Sequence, residues 1–296
     1  MYIEFLRILQ WVKTLDKTIK KRLNIFIISC ILIPATLLCG CSKLDQLKVK
    51  AGLKNSDFEY MKQQGKVKQI IIQNTRDQGF KFIVTDQSTI KNLYDILSSA
   101  KKVSKKSSLD PDYVFEIDEG NNKVHKFSYI AGLDKKDSGN LYSKGQVYIV
   151  SNRIDNDMIN NFWNTRMPPS DFKSVYYGSI MDTLNKYFSE KDKTKKIGIN
   201  LKDDIDAQRF ILSTEQEEFK SDLTSKFKNA NIGNNDEDNY DVWVTIKTEG
   251  YKSTLYKMTV TFFDRQNQSE KVYYVQDTYS SGGWDKSISE NKPNGF

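Results

Sequence analysis

The chain has 296 residues, with 45 Lys and Arg against 38 Asp and Glu, a formal charge of +7, three cysteines and one histidine. A single histidine, His125, excludes self-contained Ser-His-Asp, Cys-His and multi-histidine metal sites. Cys30, Cys39 and Cys41 all lie at or before position 41, so the rest of the chain has no disulfide to rely on and folds by core burial.

Lys17, Lys20, Lys21 and Arg22 precede an apolar run from Ile25 to Leu38, which Leu38-Cys39-Gly40-Cys41 closes. From Leu23 to Gly40 the run is interrupted by Asn24, Ser29, Pro34 and Thr36, and it is short against the roughly 20 residues a permanent bilayer helix needs. A secretory h-region describes it better. Pro34 kinks or breaks a helix near its end, and Gly40 leaves room beside a scissile bond. The arrangement resembles a bacterial lipoprotein signal, although Cys39 stands where such signals place a small or β-branched residue and the n-region is long, with Glu4 and Asp16 inside it. The resemblance implies cleavage after Gly40, a diacylglyceryl thioether on Cys41 and a stable anchor on the outer face of the cell membrane, since two acyl chains hold where one does not. The competing readings are an uncleaved signal anchor and a metal-binding Cys39/Cys41 pair, and against the latter stands the four-ligand demand of zinc.

Residues 1–40 carry six Lys/Arg and two Asp/Glu, so four of the seven positive charges leave with the signal and about +3 remains. That is no nucleic-acid footprint. The remaining chain is long enough for one large or two ordinary domains of about 100 to 200 residues. Its richness in Lys, Asn, Ile and Tyr fits an AT-rich Gram-positive genome.

Residues 41–65 are poor in apolar side chains and predict a flexible tether. Lys43, Lys48, Lys50 and Lys54 either attract anionic headgroups, by about 1 kcal/mol each, or form a plain solvated linker broken by Asp45 and Asp57.

Residues 66–167 predict a first α+β domain. Val67 to Asn74 and Phe80 to Thr85 are strand-like, joined by Thr75-Arg76-Asp77-Gln78-Gly79, a hairpin loop with Gly79 available for positive φ. Asp86 or Ser88 caps a helix whose Ile90, Leu93, Tyr94 and Leu97 share one face. A basic loop follows from Lys101 to Ser108. Asp112 to Asp118 alternates strictly and turns at Glu119-Gly120-Asn121-Asn122 into Lys123 to Ile130, a second hairpin. Gln146 to Ser151 reads as a strand and Asp155 to Arg166 as a helix with Ile159, Phe162 and Trp163 inward, stopped by Pro168-Pro169.

Residues 168–280 predict a second α+β domain. Its first helix, Ser170 to Ser189, has Phe172, Tyr176, Ile180, Leu184 and Tyr187 or Phe188 as its stripe. Lys195 to Leu201 suggests a short strand. A helix begins at Ser213 or Thr214, where Thr214-Glu215-Gln216-Glu217 has capping-box form, and Phe219, Leu223 and Phe227 line one side. After a loop at Asn229 to Asn239, the runs Asp241 to Thr248, Thr254 to Phe263 and Lys271 to Thr278 predict an antiparallel meander under the helices. Residues 281–296 predict a disordered tail.

Pro111-Asp112-Tyr113, the hairpin after it, the Gly139-Asn140-Leu141-Tyr142 turn and Tyr148-Ile149-Val150-Ser151 resemble a small domain of Gram-positive, Bacillus-type surface lipoproteins, over residues 67–166. The resemblance implies surface location and an α+β fold, and no particular activity.

The chemistry-bearing motifs are sparse. His125 shares a strand face with Lys123, Phe127 and Tyr129 and reads as an ordinary strand residue rather than a lone base. Ser98 to Lys101 and Ser170 to Lys173 satisfy Ser-x-x-Lys without the partner motifs of penicillin-recognising enzymes; Lys247-Thr248-Glu249-Gly250 is the nearest approach. Asp155 and Asp157, Asp203, Asp204 and Asp206, and Asp236, Glu237 and Asp238 lack EF-hand spacing and read as caps and solvated loops. Asp134-Lys135-Lys136-Asp137-Ser138-Gly139 fails because lysines occupy ligand positions. Phosphate-binding glycine loops are absent, and no cofactor is implied.

Aromatics crowd the last sheet. Trp243, Tyr256, Tyr273, Tyr274 and Trp284 are the candidate binding surface, for stacking on sugars or docking a protein, with burial under a helix or a domain contact as the alternative.

The expectation is a lipid-anchored, extracytoplasmic lipoprotein of two small α+β domains, each an antiparallel sheet with packed helices. It binds an envelope, peptide or protein partner without catalysis. The alternatives are a carboxylate-based envelope hydrolase, whose two carboxyl groups must lie about 5 to 10 Å apart, and a scaffold subunit of an export or conjugation complex with an uncleaved anchor.

Overall fold

A computed structural model describes residues 54–133, 138–189, 191, 194–234 and 236–296. The signal, Gly40, Cys41 and most of the expected tether lie outside the described residues.

The chain is α+β, built on two sheets. The first has the strand order β2-β1-β4-β5-β6-β7-β3, with β1 at Gln69–Asn74, β2 at Lys81–Val84, β3 at Lys101–Val103, β4 at Tyr113–Asp118, β5 at Val124–Tyr129, β6 at Leu141–Ser143 and β7 at Gln146–Ile149. Alternation works as the sequence dictates: Ile70 and Ile72 of β1 and Tyr113, Phe115 and Ile117 of β4 are buried, while their neighbours are half-exposed. Helix α1, Gln87–Leu97, buries Ile90, Leu93, Tyr94 and Leu97 against that face. Its cap is Asp86, which accepts the Thr89 amide at 2.8 Å; hydrogen bonds from Ser88 and Thr89 hold its carboxyl down at about 2.

Four details differ from expectation. The β1–β2 loop closes on Asn74, whose Oδ1 accepts the amides of Arg76 and Asp77 at 2.8 Å each, and Gly79 takes no positive φ. The basic stretch after α1 is not all loop, because Lys101–Val103 pairs with β7 as an edge strand and leaves its lysines exposed, as edges tolerate. Leu141–Ser143, read as a turn, is a short strand between β5 and β7. Part of the supposed tether is folded: Phe58 and Met61 are buried in the first core, and the Phe58 ring lies 5.1 Å from that of Tyr148. Two well-placed apolar side chains suffice for that despite the polar average.

Asp155–Ile159 opens the segment after β7 as a π-helical turn and continues as α2, Asn160–Asn164. Helix α3, Phe172–Tyr187, then buries Phe172, Tyr176, Ile180, Leu184 and Tyr187 in the second core.

The second sheet runs β13-β12-β11-β10-β8-β9. Strands β10 at Val242–Lys252, β11 at Leu255–Asp264 and β12 at Ser269–Ser280 form the expected meander. Beside it lie β8, Ile197–Asn200, which pairs in parallel with β10, and β9, Ala230–Ile232, which pairs in parallel with β8 at the edge, so this sheet is mixed rather than antiparallel. Parallel pairing of β8 and β9 needs a crossover, supplied by α4, Ile205–Gln208, and α5, Ser213–Lys226. The expected loop at Asn229 to Asn239 therefore contains a strand.

The supposed tail is also structured. Ser281 and Gly282, both at positive φ, make a two-residue turn that returns the chain as β13, Gly283–Ser289, paired with β12. Both sheets belong to one compact unit, Asp57–Phe296.

Candidate binding cleft

The aromatic residues singled out in the last sheet do not share a surface. Tyr256 and Tyr273 are 0% and 1% exposed, packed in the second core beneath the helices. Trp243 points to the opposite face, yet it too is buried, its indole lying over Gly198 and Gly233, where an added Cβ would come within 2.6 and 2.4 Å of the ring. Tyr274 meets the ring of Phe296 edge-on. Trp243 also edges a polar cleft with Asn200, Asp203 and Glu270, whereas Trp284 serves a different cleft, indirectly: its Nε1 donates to the carbonyl of Ser170 at 3.0 Å.

That cleft, about 530 Å³, opens where the segment after α2 meets the first turns of α3 and α5. Trp163, Met167, Pro168, Pro169 and Phe172 give it apolar walls; Ser170, Asp171, Lys173, Glu215 and Ser253 give it polar groups. Its size is that of a small-ligand site. Met167 and Asp171 flank the two prolines with φ of 46° and 53°, left-handed conformations that cost a non-glycine residue free energy and cluster at ligand sites. Met167 is 63% exposed.

Two consecutive residues at the start of β4 fix both walls. Tyr113 Oη accepts the Trp163 Nε1 hydrogen at 2.7 Å, and Trp163 packs against both cores. Asp112 is 0% exposed and organises a buried network: its Oδ1 accepts from Arg76 at 2.6 Å and from the Ser213 amide and hydroxyl at 2.8 Å each, and its Oδ2 accepts from the Ala131 amide at 2.9 Å. The Arg76 guanidinium also donates to the Ile211 carbonyl and to Ser213 Oγ. Asp112 therefore caps α5 from a distant strand, where the carboxylate meets the positive end of the helix. This displaces the expected capping box: Leu212 stands at the cap position without a side-chain bond, and Thr214 Oγ1 donates to the Ala131 carbonyl instead.

With α5 so placed, Glu215 in its first turn faces the cleft. Burial pushes its carboxyl up to about 7, against the pull of Lys173 and with the help of Glu218, Asp112 and Asp171. Lys173 is bound to Glu218, a hydrogen bond that holds its ammonium above the usual lysine range. Ser170 Oγ donates to the Ser253 carbonyl at 3.4 Å, so the Ser170 to Lys173 pair forms no nucleophile and base couple.

Most of the other titratable groups singled out in the sequence have partners. His125 bonds Glu119 at 2.6 Å and stacks on Tyr60 at 3.9 Å, and neither Glu119 nor Tyr60 lines the cleft. Asp155 accepts from Tyr129 Oη and the Gly132 amide, Asp204 from the Thr248 amide and hydroxyl, and Asp277 from Ser179. Burial raises all three, Asp204 to about 6. Asp157 pairs with Arg153, Asp206 with Arg209 and Asp238 with Arg265. Among the described residues no group of three or more His, Cys, Asp or Glu is placed to hold a metal ion.

Sequence reasoning named Trp163 as a core residue and Glu215 as part of a cap. The signal for the cleft was the Pro168-Pro169 pair between an aromatic helix end and an Asp-capped helix, a combination that forces an irregular, exposed bend.

Residues 63–168 match the family model described as YhfM protein. No curated protein and no solved structure matches the chain. The matched span ends at Pro168; it contributes Asp112, Tyr113 and Trp163, whereas Lys173 and Glu215 come from outside it.

Proposed function

We propose that the chain is a lipid-anchored lipoprotein of the extracytoplasmic membrane face that binds an envelope, peptide or protein partner without catalysis, in the cleft between Trp163 and Glu215. The observation that carries the binding half is the cleft itself: apolar walls fixed by buried hydrogen bonds to Asp112 and Tyr113, with an unusual backbone at Met167 and Asp171 on its rim. The anchoring half rests on the apolar run and Leu38-Cys39-Gly40-Cys41. Mass spectrometry of the N-terminal peptide from membranes tests it, with a diacylated Cys41 expected. Cys41→Ser moves the protein out of the detergent phase; unchanged fractionation and mobility overturn the anchor, and an intact residue 1–40 segment favours the uncleaved scaffold.

A carboxylate-based hydrolase is the second reading, favoured by Glu215 and Asp171 in one cleft with the Glu215 carboxyl near 7, where a general acid operates. Release of soluble fragments from purified cell walls by the wild type, abolished in Glu215→Gln, selects that reading over pure binding.

A further inference from the structure

We propose that the cleft recognises a lysine-type side chain on a peptide, its ammonium bound by Glu215 and its methylene stem laid along Met167, the two prolines and Phe172. The inference rests on the reading of the cleft as a binding site and adds the chemistry of the ligand.

The half-buried Glu215 differs from the buried carboxylates of the molecule. Asp112, Asp155, Asp204 and Asp277 each accept at least one hydrogen bond from the protein, whereas the Glu215 carboxyl accepts none among the described residues. A half-buried carboxyl without a protein donor keeps only part of its water, and a ligand bringing its own N–H groups supplies the missing hydrogen bonds. Charge points to a cation. Glu215 and Asp171 line the cleft and Glu218 stands beside them, against the one ammonium of Lys173, which Glu218 already holds. The groups facing Glu215 from the packed elements are Lys173 and Asp171 of the α3 region, Glu218 on its own helix, Asp112 of the β4 end and Tyr177, kept neutral by burial; Arg76 lies beyond Tyr177 and is held by Asp112. An incoming ammonium adds the missing positive charge.

The walls select the rest of the ligand. A lysine side chain buries its stem against apolar surface while its head reaches a polar group, and the exposed Met167 with Pro168 and Pro169 offers such a surface beside Glu215. The ring of Trp163 adds a face to which a cation is attracted.

Isothermal titration calorimetry of the full chain in detergent micelles tests this with three probes: Nα-acetyl-lysine amide, its neutral counterpart Nα-acetyl-norleucine amide, and the Nε-acetylated lysine. The lysine probe is expected to bind at least tenfold more tightly than either neutral probe. Its affinity rises between pH 6 and pH 8 as Glu215 gives up its proton, and Glu215→Gln, checked for folding by circular dichroism, loses both the preference and the pH dependence. Equal affinity for lysine and norleucine probes, an unaltered Glu215→Gln, or no binding of any probe overturns the ammonium assignment. Equal affinity leaves the cleft a binding site, and none of these results depends on whether Cys41 is acylated, so the two readings fail separately.

Discussion

Ser213 and Asp112 are 101 residues apart in sequence, and the Ser213 amide donates to Asp112 Oδ1 at 2.8 Å. A helix in one half of the molecule thus takes its cap from a strand in the other, and the cleft lies beside that junction.

The first expectation concerns stability. Asp112→Ala leaves Arg76 with a buried, unpaired charge and strands the Ser213 and Ala131 amides, at a cost of about 3–5 kcal/mol. Urea unfolding reads this as a lower midpoint. Asp112→Asn keeps an acceptor and loses less, and a midpoint unmoved in Asp112→Ala refutes the role assigned to the network.

Tyr113→Phe takes away the acceptor of the Trp163 indole, together with the hydroxyl's bond to Asn74. The expected loss is about 1–3 kcal/mol, with a red shift in tryptophan emission as the wall loosens. Emission and midpoint both equal to wild type show that the bond does not hold the wall.

The Glu215 carboxyl predicts a pH dependence of stability. It is ordinarily near 4.5 and stands at about 7 in the folded chain, so the native state keeps a proton that the unfolded state releases in between. Stability contributed by the protonated group is complete below 4.5 and is lost as pH rises through 7. Glu215→Gln removes that decline and is the more stable protein at pH 8, with the difference vanishing near pH 4. Thermal melts across that range check the sign, and a variant less stable than wild type at pH 8 contradicts it.

Gly198 and Gly233 give the fourth prediction. A methyl group on either meets the Trp243 ring, at 2.6 and 2.4 Å, so Gly198→Ala and Gly233→Ala each cost about 1–3 kcal/mol and change the near-ultraviolet dichroism of the indole. Unchanged dichroism excludes the close seating.

Much of the fold was legible. Periodicity placed α1, α3, α5 and the strands β1, β4, β5 and β10 to β12, because each buries one face and the chain must write that face at a fixed spacing. Short or edge elements were not legible: the edge strands β3, β9 and β13 and the three-residue β6 owe their state to the strands beside them rather than to their own residues. The aromatic row misled for a related reason, since strand composition does not say which face a helix will cover. Glu215 was hidden most deeply. Its role depends on Asp112 displacing a local cap, and no window of sequence around Thr214 contains Asp112.

The cap shared between the two halves also ties the cleft to the integrity of the fold. Drawing the sheets apart frees the first turn of α5 and uncovers Arg76 in the same motion, so a ligand held in the proposed site is expected to leave as the fold melts. Occupancy and cohesion should disappear together, in a single heat-absorption peak that ligand moves upward without splitting.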